Sequence, residues 1–111
     1  MAFTRACALA DLAPDAPVAT TVDDVAVAVV LHDDDVYAIH DECSHAAIPL
    51  SEGEVDGCEI ECWLHGSRFD LRSGKPTGPP ATSSIPVYQV RVEGEGADAV
   101  VLVDITVNAA R

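Results

Sequence analysis

Short apolar runs recur along the chain, and residues typical of turns separate them. Runs of about four to eight residues that are rich in Val and Ile and bounded by Asp, Gly or Pro are typical of β-strands. No stretch has the periodicity of an amphipathic helix, although a short helical turn fits near Leu9–Leu12 and near Ile48–Glu52. Strands are predicted over Phe3–Leu9, Val18–Val22, Val25–Leu31, Val36–His40, Arg68–Leu71, Ile85–Glu93 and Ala99–Ile105. The fold class that this pattern predicts is all-β.

The most hydrophobic run, Val25–Leu31, has no polar alternation. A strand of this kind is typically buried on both faces, so we expect it to be a central strand. Asp33–Asp35 predicts a tight turn because Asp tolerates turn geometry, and Val36–His40 then returns as the partner strand. Loops or turns are also predicted over Asp11–Pro17, 72–84 and Gly94–Asp98.

The chain of 111 residues has room for one domain with one core. Its 19 acidic residues outnumber 6 basic ones, which gives a formal net charge of −13. This imbalance argues against binding to nucleic acid or to an anionic membrane and favours fast encounters with basic protein surfaces. A generally acidic proteome would produce the same imbalance.

Nothing in the sequence predicts export or membrane insertion. Met1 is not followed by a basic segment and a long apolar stretch, and no run of about 18 apolar residues is present. Two of the four cysteines, Cys7 and Cys58, are predicted to be small buried side chains or inert thiols rather than a disulfide. We therefore expect a cytoplasmic protein.

The other two cysteines each form a tight pair with a histidine. Cys43-Ser44-His45 is separated by sixteen residues from Cys62-Trp63-Leu64-His65. Structural zinc sites usually pair Cys with Cys and His with His, whereas each pair here holds one of each. This arrangement suits a Rieske 2Fe–2S centre, in which two Cys bind one iron and two His bind the other. A mixed Cys/His zinc site is the alternative.

The sixteen intervening residues have the composition of a short hairpin. Gly53 and the segment Val55–Gly57 provide turn residues, and Glu59–Glu61 alternates polar and apolar positions. Such a hairpin would bring the two Cys/His loops face to face.

The residues after the second pair carry a family resemblance. The segments Cys62–Asp70, Ser73–Pro76 and Gly78–Pro80 resemble the second half of a Rieske ferredoxin, the small electron carrier of bacterial ring-hydroxylating dioxygenases. The similarity covers nearly the whole chain. It implies a β-sandwich or partly open barrel over residues 1–111, with a cluster-binding subdomain at about 41–80.

The resemblance also assigns the ligands and their surroundings. It implies that Cys43 and Cys62 bind the buried iron of one [2Fe–2S] cluster, and that His45 and His65 bind the outer iron. Gly78–Pro80 corresponds to the loop that covers the cluster. Each histidine would leave one ring edge near solvent as the exit for the electron.

Two departures separate this chain from the Rieske proteins of respiratory and photosynthetic complexes. Those proteins carry a disulfide between the ligand loops, and the matching positions here are Ile48 and Leu64. They also have a Tyr where this chain has Phe69, although their Ser is present as Ser67. The chain is therefore most similar to the ferredoxin branch.

The function implied is one-electron transfer without substrate chemistry. The donor would be a flavin-containing, pyridine-nucleotide-dependent reductase, and the acceptor would be the Rieske-type oxygenase component of a dioxygenase or a related monooxygenase. No catalytic residues are predicted, because the sequence has no recognisable nucleophile–base set, phosphate-binding loop or catalytic carboxylate pair. Alternatives are the small subunit of a nitrite reductase, a ferredoxin serving cluster assembly or redox sensing, and a zinc-stabilised interaction module.

The remaining chemistry-bearing residues are predicted to be structural or superficial. His32 and His40 lie at strand ends without a Cys at ligand spacing, so we expect surface positions. Trp63 is expected to pack over the second ligand loop or to join a docking face. Three basic residues beside this loop form either a docking patch or solvated loop charges: Arg68, Arg72 and Lys75.

Overall fold

The structure is a computed structural model that describes residues 3–44, 48–63, 66–78 and 83–108. Within these ranges the chain forms strands and three short 3₁₀ turns, at Leu9–Asp11, Leu50–Glu52 and Gly96–Asp98, and no α-helix. The described part accordingly has no helix able to cross a membrane. The strands are β1 (Thr4–Ala8), β2 (Val18–Val22), β3 (Val25–His32), β4 (Asp35–His40), β5 (Val55–Asp56), β6 (Glu59–Glu61), β7 (Arg68–Asp70), β8 (Pro76–Gly78), β9 (Val87–Glu93) and β10 (Val100–Asn108). The all-β prediction is confirmed.

Six strands form one antiparallel sheet in the order β1-β10-β9-β4-β3-β2. Its two edge strands meet, because the hydroxyl of Thr20 in β2 donates a hydrogen bond of 3.0 Å to the carbonyl of Ala6 in β1. The sheet is therefore nearly closed, which agrees with the predicted partial barrel.

Two-residue aspartate turns connect the hairpins of this sheet. Asp23 and Asp24 join β2 to β3, and Asp33 and Asp34 join β3 to β4; all four have positive φ, between 48° and 68°. Two successive residues with positive φ match the right-handed twist of the strands, and Asp tolerates this conformation better than most residues. The turn predicted over Asp33–Asp35 is one residue shorter than expected, because Asp35 already pairs with His32.

The other four strands form a small antiparallel sheet in the order β5-β6-β7-β8. The predicted hairpin between the ligand loops is confirmed as β5 and β6. The prediction of a continuous loop over 72–84 is wrong at β8. Pro76 begins this edge strand, where a missing N–H is tolerated, and the β7–β8 ladder is interrupted by a register shift between Arg68 and Phe69. Its composition is that of a loop, so local signals could not reveal it.

Two buried cores lie on opposite faces of β3. Val27 and Val29 face the barrel core, which β1, β2, β4, β9 and β10 also line. Ala28 and Val30 face the inter-sheet core, the cluster of buried residues between the barrel and the small sheet. All four side chains are fully buried, so the expectation that this strand is covered on both faces is confirmed.

Candidate metal centre

The first ligand loop leaves β4 and is tied back to the chain by hydrogen bonds. The N–H of Cys43 donates to the carbonyl of Ile48 at 2.9 Å. Asp41 is buried, and its carboxylate accepts hydrogen bonds from the N–H and the hydroxyl of Ser51 at 2.7 and 2.6 Å. Cys43 therefore lies on a loop that is fixed at both ends.

The second ligand loop connects β6 to β7. The N–H of Cys62 donates to the carbonyl of Ser67 at 2.7 Å, and the N–H of Gly66 donates to the carbonyl of Cys62 at 2.9 Å. Gly66 has φ of 76°, a conformation that glycine adopts without strain. The loop is thus a tight return that holds Cys62 at its start.

Two further hydrogen bonds hold the chain on either side of the loop predicted to cover the site, Gly78–Pro80. The N–H of Ile85 donates to the carbonyl of Gly74 at 2.8 Å. The hydroxyl of Ser44, in the first ligand loop, donates to the carbonyl of Ser83 at 2.6 Å. Of the residues predicted to cover the site, Gly78 ends β8, whereas Pro79 and Pro80 lie outside the described residues.

Both predicted cysteine ligands lie in the inter-sheet core. Cys43 is 2% exposed and Cys62 is 1% exposed, and the same core contains Phe69. The four cysteines of the chain are all described, and no disulfide links them. Two buried thiols in one cluster fit the sulfur half of the predicted ligand set, because thiolates are the iron ligands of such centres.

The histidine half lies outside the described residues, since neither His45 nor His65 is among them. In the described part of the chain, no group of three or more Cys, His, Asp or Glu side chains is arranged to hold a metal ion. The four-residue ligand set therefore stays a prediction.

Comparison with known proteins decides the family. The family model described as the Rieske [2Fe-2S] domain matches residues 2–89. The chain belongs to the Rieske family. It carries a Rieske 2Fe–2S cluster, as the resemblance implied.

The relatives of this Rieske domain are ferredoxins. It is 36% identical over 107 residues to the biphenyl dioxygenase ferredoxin subunit of Pseudomonas sp. (strain KKS102), covering 96% of this chain and 94% of that protein. The solved ferredoxin of carbazole 1,9a-dioxygenase from Nocardioides aromaticivorans IC177 superposes with a TM-score of 0.83 at 38% identity, over 92% of this chain and 97% of that one. Ferredoxins are electron-transfer proteins, and this chain is an electron carrier rather than an enzyme.

Two other solved structures with this fold come from different classes of protein. A chain from a complex of reduced oxygenase and oxidised ferredoxin in carbazole 1,9a-dioxygenase matches with a TM-score of 0.80 at 32% identity, over 91% of this chain and 92% of that chain. A putative NADH-dependent nitrite reductase small subunit from Mycobacterium tuberculosis matches with the same TM-score at 27% identity, over 93% of this chain and 95% of that chain. The Rieske fold is therefore common to both classes.

The two cysteines outside the ligand motif lie in different cores of the Rieske domain. Cys7 is buried in the barrel core, as predicted, and burial followed by the nearby charge of Asp11 raises the pKa of its thiol. Cys58, at the β5–β6 turn, is half-buried against the inter-sheet core.

The two histidines outside the motif are held by side chains rather than fully solvated, so the expectation of surface positions is only partly correct. His32 Nδ1 lies 2.7 Å from Oδ1 of Asp15, and its side chain is 13% exposed. His40 Nδ1 lies 3.3 Å from the hydroxyl of Tyr88. The contact between His32 and Asp15 joins residues seventeen positions apart, which no local pattern reveals.

Two of the three basic residues beside the second ligand loop are engaged within the chain. Arg68 forms ion pairs with Glu61 at 3.1 Å and Glu59 at 3.5 Å. A hydrogen bond with Tyr37 raises the pKa of the Arg72 guanidinium. Among these residues the structure therefore favours intramolecular pairing over a basic docking patch.

Trp63, inside the second ligand loop, is 52% exposed. Trp is among the residues enriched at protein interfaces relative to the rest of the surface. The position favours the docking interpretation of Trp63 over packing against the loop.

Proposed function

We propose that this chain carries single electrons from a flavin-containing, pyridine-nucleotide-dependent reductase to a Rieske-type oxygenase component. Two buried thiols at the junction of the two sheets, Cys43 and Cys62, support this role most directly, in a chain that aligns over nearly its whole length with a dioxygenase ferredoxin. When bound, a Rieske cluster supplies one-electron oxidation and reduction. The protein's own residues bind the cluster, shield it and present its edge to partners.

The proposed ligands are Cys43, His45, Cys62 and His65. The two cysteines are held on loops whose backbones are hydrogen-bonded at both ends, so the sulfur positions are fixed by the fold. The two histidines follow at spacings of one and two residues, which suits one imidazole from each loop. The segment that provides them, about residues 41–80, is proposed as the cluster-binding subdomain of a single domain.

The proposed docking surface surrounds the second ligand loop. Trp63 would contribute exposed apolar area next to His65, and Pro79 and Pro80 would complete the surround. Apolar contact at the centre with charged residues at the rim is the common organisation of protein interfaces. The high negative charge of the chain would favour partners with basic docking faces, and a cytoplasmic location would place it beside reductases that use pyridine nucleotides.

The ligand set is tested by substitution. His45→Ala and His65→Ala should each abolish the visible and EPR spectra of the cluster, because no neighbouring residue in either motif replaces the lost imidazole. Cys7→Ser and Cys58→Ser are matched controls that remove a thiol outside the motif and should leave the spectra intact. Loss of the cluster in either control would show that the ligands are wrongly assigned.

The direction of electron transfer is tested by reconstitution. The purified protein is mixed with NADH and the reductase and oxygenase of a biphenyl or carbazole dioxygenase system, and product formation is measured. We expect product only when this chain is added, and none with His65→Ala. If the cluster is intact but none of the reductases from such systems reduces it, the proposed donor is wrong.

The small subunit of a nitrite reductase is the second candidate, because one such protein shares the fold over nearly the full length of this chain. Co-purification of a large reductase subunit, with nitrite-dependent NADH oxidation, would favour it. The zinc-stabilised interaction module is not proposed, because the chain belongs to the Rieske family.

A further inference from the structure

A pair of opposite charges closes the base of the second ligand loop. Glu61 and Arg68 face each other at the end of the β6–β7 ladder, immediately before Cys62 and immediately after Ser67. The Nε and Nη2 atoms of Arg68 both donate to Oε2 of Glu61, at 3.2 and 3.1 Å. The pair therefore joins the two strands at the point where the loop leaves the sheet.

Two further carboxylates lie beside the same guanidinium. Nη1 of Arg68 is 3.5 Å from Oε1 of Glu59, and Nη2 is 3.9 Å from Oδ2 of Asp56. The guanidinium of Arg68 is charged at every working pH, and the hydrogen bond to Glu61 raises its pKa further. Arg68 thus offsets the mutual repulsion of three carboxylates.

Strand alternation explains why these charges gather on one face. Ile60 and Phe69 are paired across β6 and β7 and are both buried in the inter-sheet core. Their neighbours along each strand must point away from that core, which places Glu59, Glu61 and Arg68 on the outer face. Within β5, β6 and β7, Arg68 is the only basic residue.

Arg68 also adjoins the segment that leads to the covering loop. On the side away from Glu61 it pairs with Gly78, the last residue of β8 and the first residue of the predicted covering loop Gly78–Pro80. The backbone of Arg68 therefore pairs with β6 on one side and with β8 on the other. Its side chain binds Glu61 on the β6 side.

We propose that Arg68 is a positioning residue for the cluster, holding the second ligand loop closed through Glu61 and counterbalancing the carboxylates beside it. This role rests on the proposed ligand set, because it requires that Cys62 and His65 bind the cluster. It acts through the loop and through the local charge, so the shortest ion pair of the small sheet, between Arg68 and Glu61, serves cluster retention rather than partner docking.

The test compares Arg68→Gln with Arg91→Gln. Arg91 lies in β9 of the six-stranded sheet and pairs with Glu93 at 3.6 Å, so its substitution removes the same charge from an ion pair in the other sheet. In chelator at low salt, the cluster absorbance of Arg68→Gln should bleach about two- to fivefold faster than wild type, while Arg91→Gln stays within about twofold. Arg68→Lys should fall between them, because Lys keeps the charge but lacks the forked donor geometry.

The midpoint potential separates positioning from simple destabilisation. Arg68→Gln should lower the potential more than Arg91→Gln does, because uncompensated carboxylates next to the loop disfavour the added electron. Glu61→Gln breaks the same pair from the other side, so it should also bleach faster but should raise the potential. Added salt should shrink both shifts. If Arg68→Gln does not fold, Glu61→Gln still tests the same ion pair through the bleaching rate and the potential.

Equal bleaching rates and equal potentials in Arg68→Gln and Arg91→Gln would overturn the role of Arg68. Potential shifts of the same sign in Arg68→Gln and Glu61→Gln would overturn its electrostatic part. A wild-type protein without any Rieske signal would instead overturn the ligand set, so the two failures are distinguishable.

Discussion

Phe69 shares the inter-sheet core with the proposed ligand thiols, at a position where the Rieske proteins of respiratory and photosynthetic complexes carry a tyrosine. It is fully buried in the inter-sheet core together with Cys43 and Cys62. A phenylalanine cannot donate the hydrogen bond that a tyrosine hydroxyl gives to a ligand sulfur. A hydrogen bond to a charged acceptor is worth about 1.5–3 kcal/mol, which corresponds to roughly 60–130 mV for one electron. A low reduction potential is the expected consequence.

We predict that Phe69→Tyr raises the midpoint potential by some tens of millivolts. The shift should stay below the upper end of this range of roughly 60–130 mV if the hydroxyl of Ser67, which is fully buried, donates a hydrogen bond to a cluster sulfur. Protein-film voltammetry or a dye-monitored titration measures the shift. An unchanged potential accompanied by a loss of about 1–3 kcal/mol in unfolding free energy would mean that the new hydroxyl is buried without a partner.

His32 makes the stability of the fold depend on pH. The pKa of His32 is raised above its ordinary value, first by the hydrogen bond with Asp15 and further by the charge of Asp33, against the opposing effects of burial and Arg72. The protonated His32 therefore contributes to the unfolding free energy. This contribution is fully present below the unfolded-state pKa of about 6.5 and is lost as the pH rises through the folded-state pKa.

His32→Gln should therefore lower the unfolding free energy more at about pH 6 than at about pH 9. Denaturant unfolding of the wild type and the variant at both pH values measures the two differences. Asp15→Asn should reproduce the effect, because it removes the first cause of the shift. The same destabilisation at both pH values would contradict this role for the ion pair.

At the scale of elements, Gly74 holds the connection between β7 and β8 against the residues just before β9. Its carbonyl accepts the hydrogen bond from Ile85, and a Cβ at this position would lie 2.1 Å from the carbonyl oxygen of Ile85. Its φ is 74°, which also favours glycine. The connection between β7 and β8 and the residues just before β9 can approach this closely only because residue 74 has no side chain.

Gly74→Ala should destabilise the protein by more than about 3 kcal/mol, because backbone atoms must separate to admit the Cβ. Gly57→Ala is the matched control: Gly57 has a similar φ of 62° but open space where a Cβ would lie. It should cost only about 1–2 kcal/mol from the backbone conformation. Equal losses of unfolding free energy in the two variants would show that the close approach does not matter.

Elements specified by local patterns could be predicted from the sequence, and long-range contacts could not. The β-branched run in β3 and the alternating triplet in β6 carry their own signals, and both strands form where expected. The edge strand β8 could not be predicted, because its Pro and Gly content is typical of a loop. The bond from Ser44 to Ser83 joins residues 39 positions apart and has no signal in either segment.

The ion pair at the base of the second ligand loop falls between these cases. Glu59–Glu61 and Arg68–Asp70 are both polar–apolar–polar triplets, a pattern that allows an antiparallel ladder but does not by itself place Glu61 opposite Arg68. What the sequence could not provide was the convergence of Asp56 on the same guanidinium, because this depends on how β5 folds back against β6.

At the scale of the whole molecule, the charge of −13 should steer partner encounters. If the reductase presents a basic docking face, the association rate should fall as salt is added, because the Debye length shrinks from about 10 Å at 0.1 M to about 3 Å at 1 M. Stopped-flow reduction of the protein by the reductase across this range measures the dependence. A flat rate would indicate that the acidic surface does not serve docking.

An EPR-monitored potentiometric titration of the purified protein tests the central claim most directly, namely that this chain is a low-potential, one-electron Rieske carrier. The absence of the tyrosine hydrogen bond at Phe69 and the acidic surface place the expected midpoint at the lower end of the range of Rieske centres, which is roughly −150 to +300 mV. We predict a Rieske signal that follows a one-electron curve with a midpoint below 0 mV, near about −150 mV. A midpoint above about +100 mV, or no Rieske signal at any potential, would contradict the account.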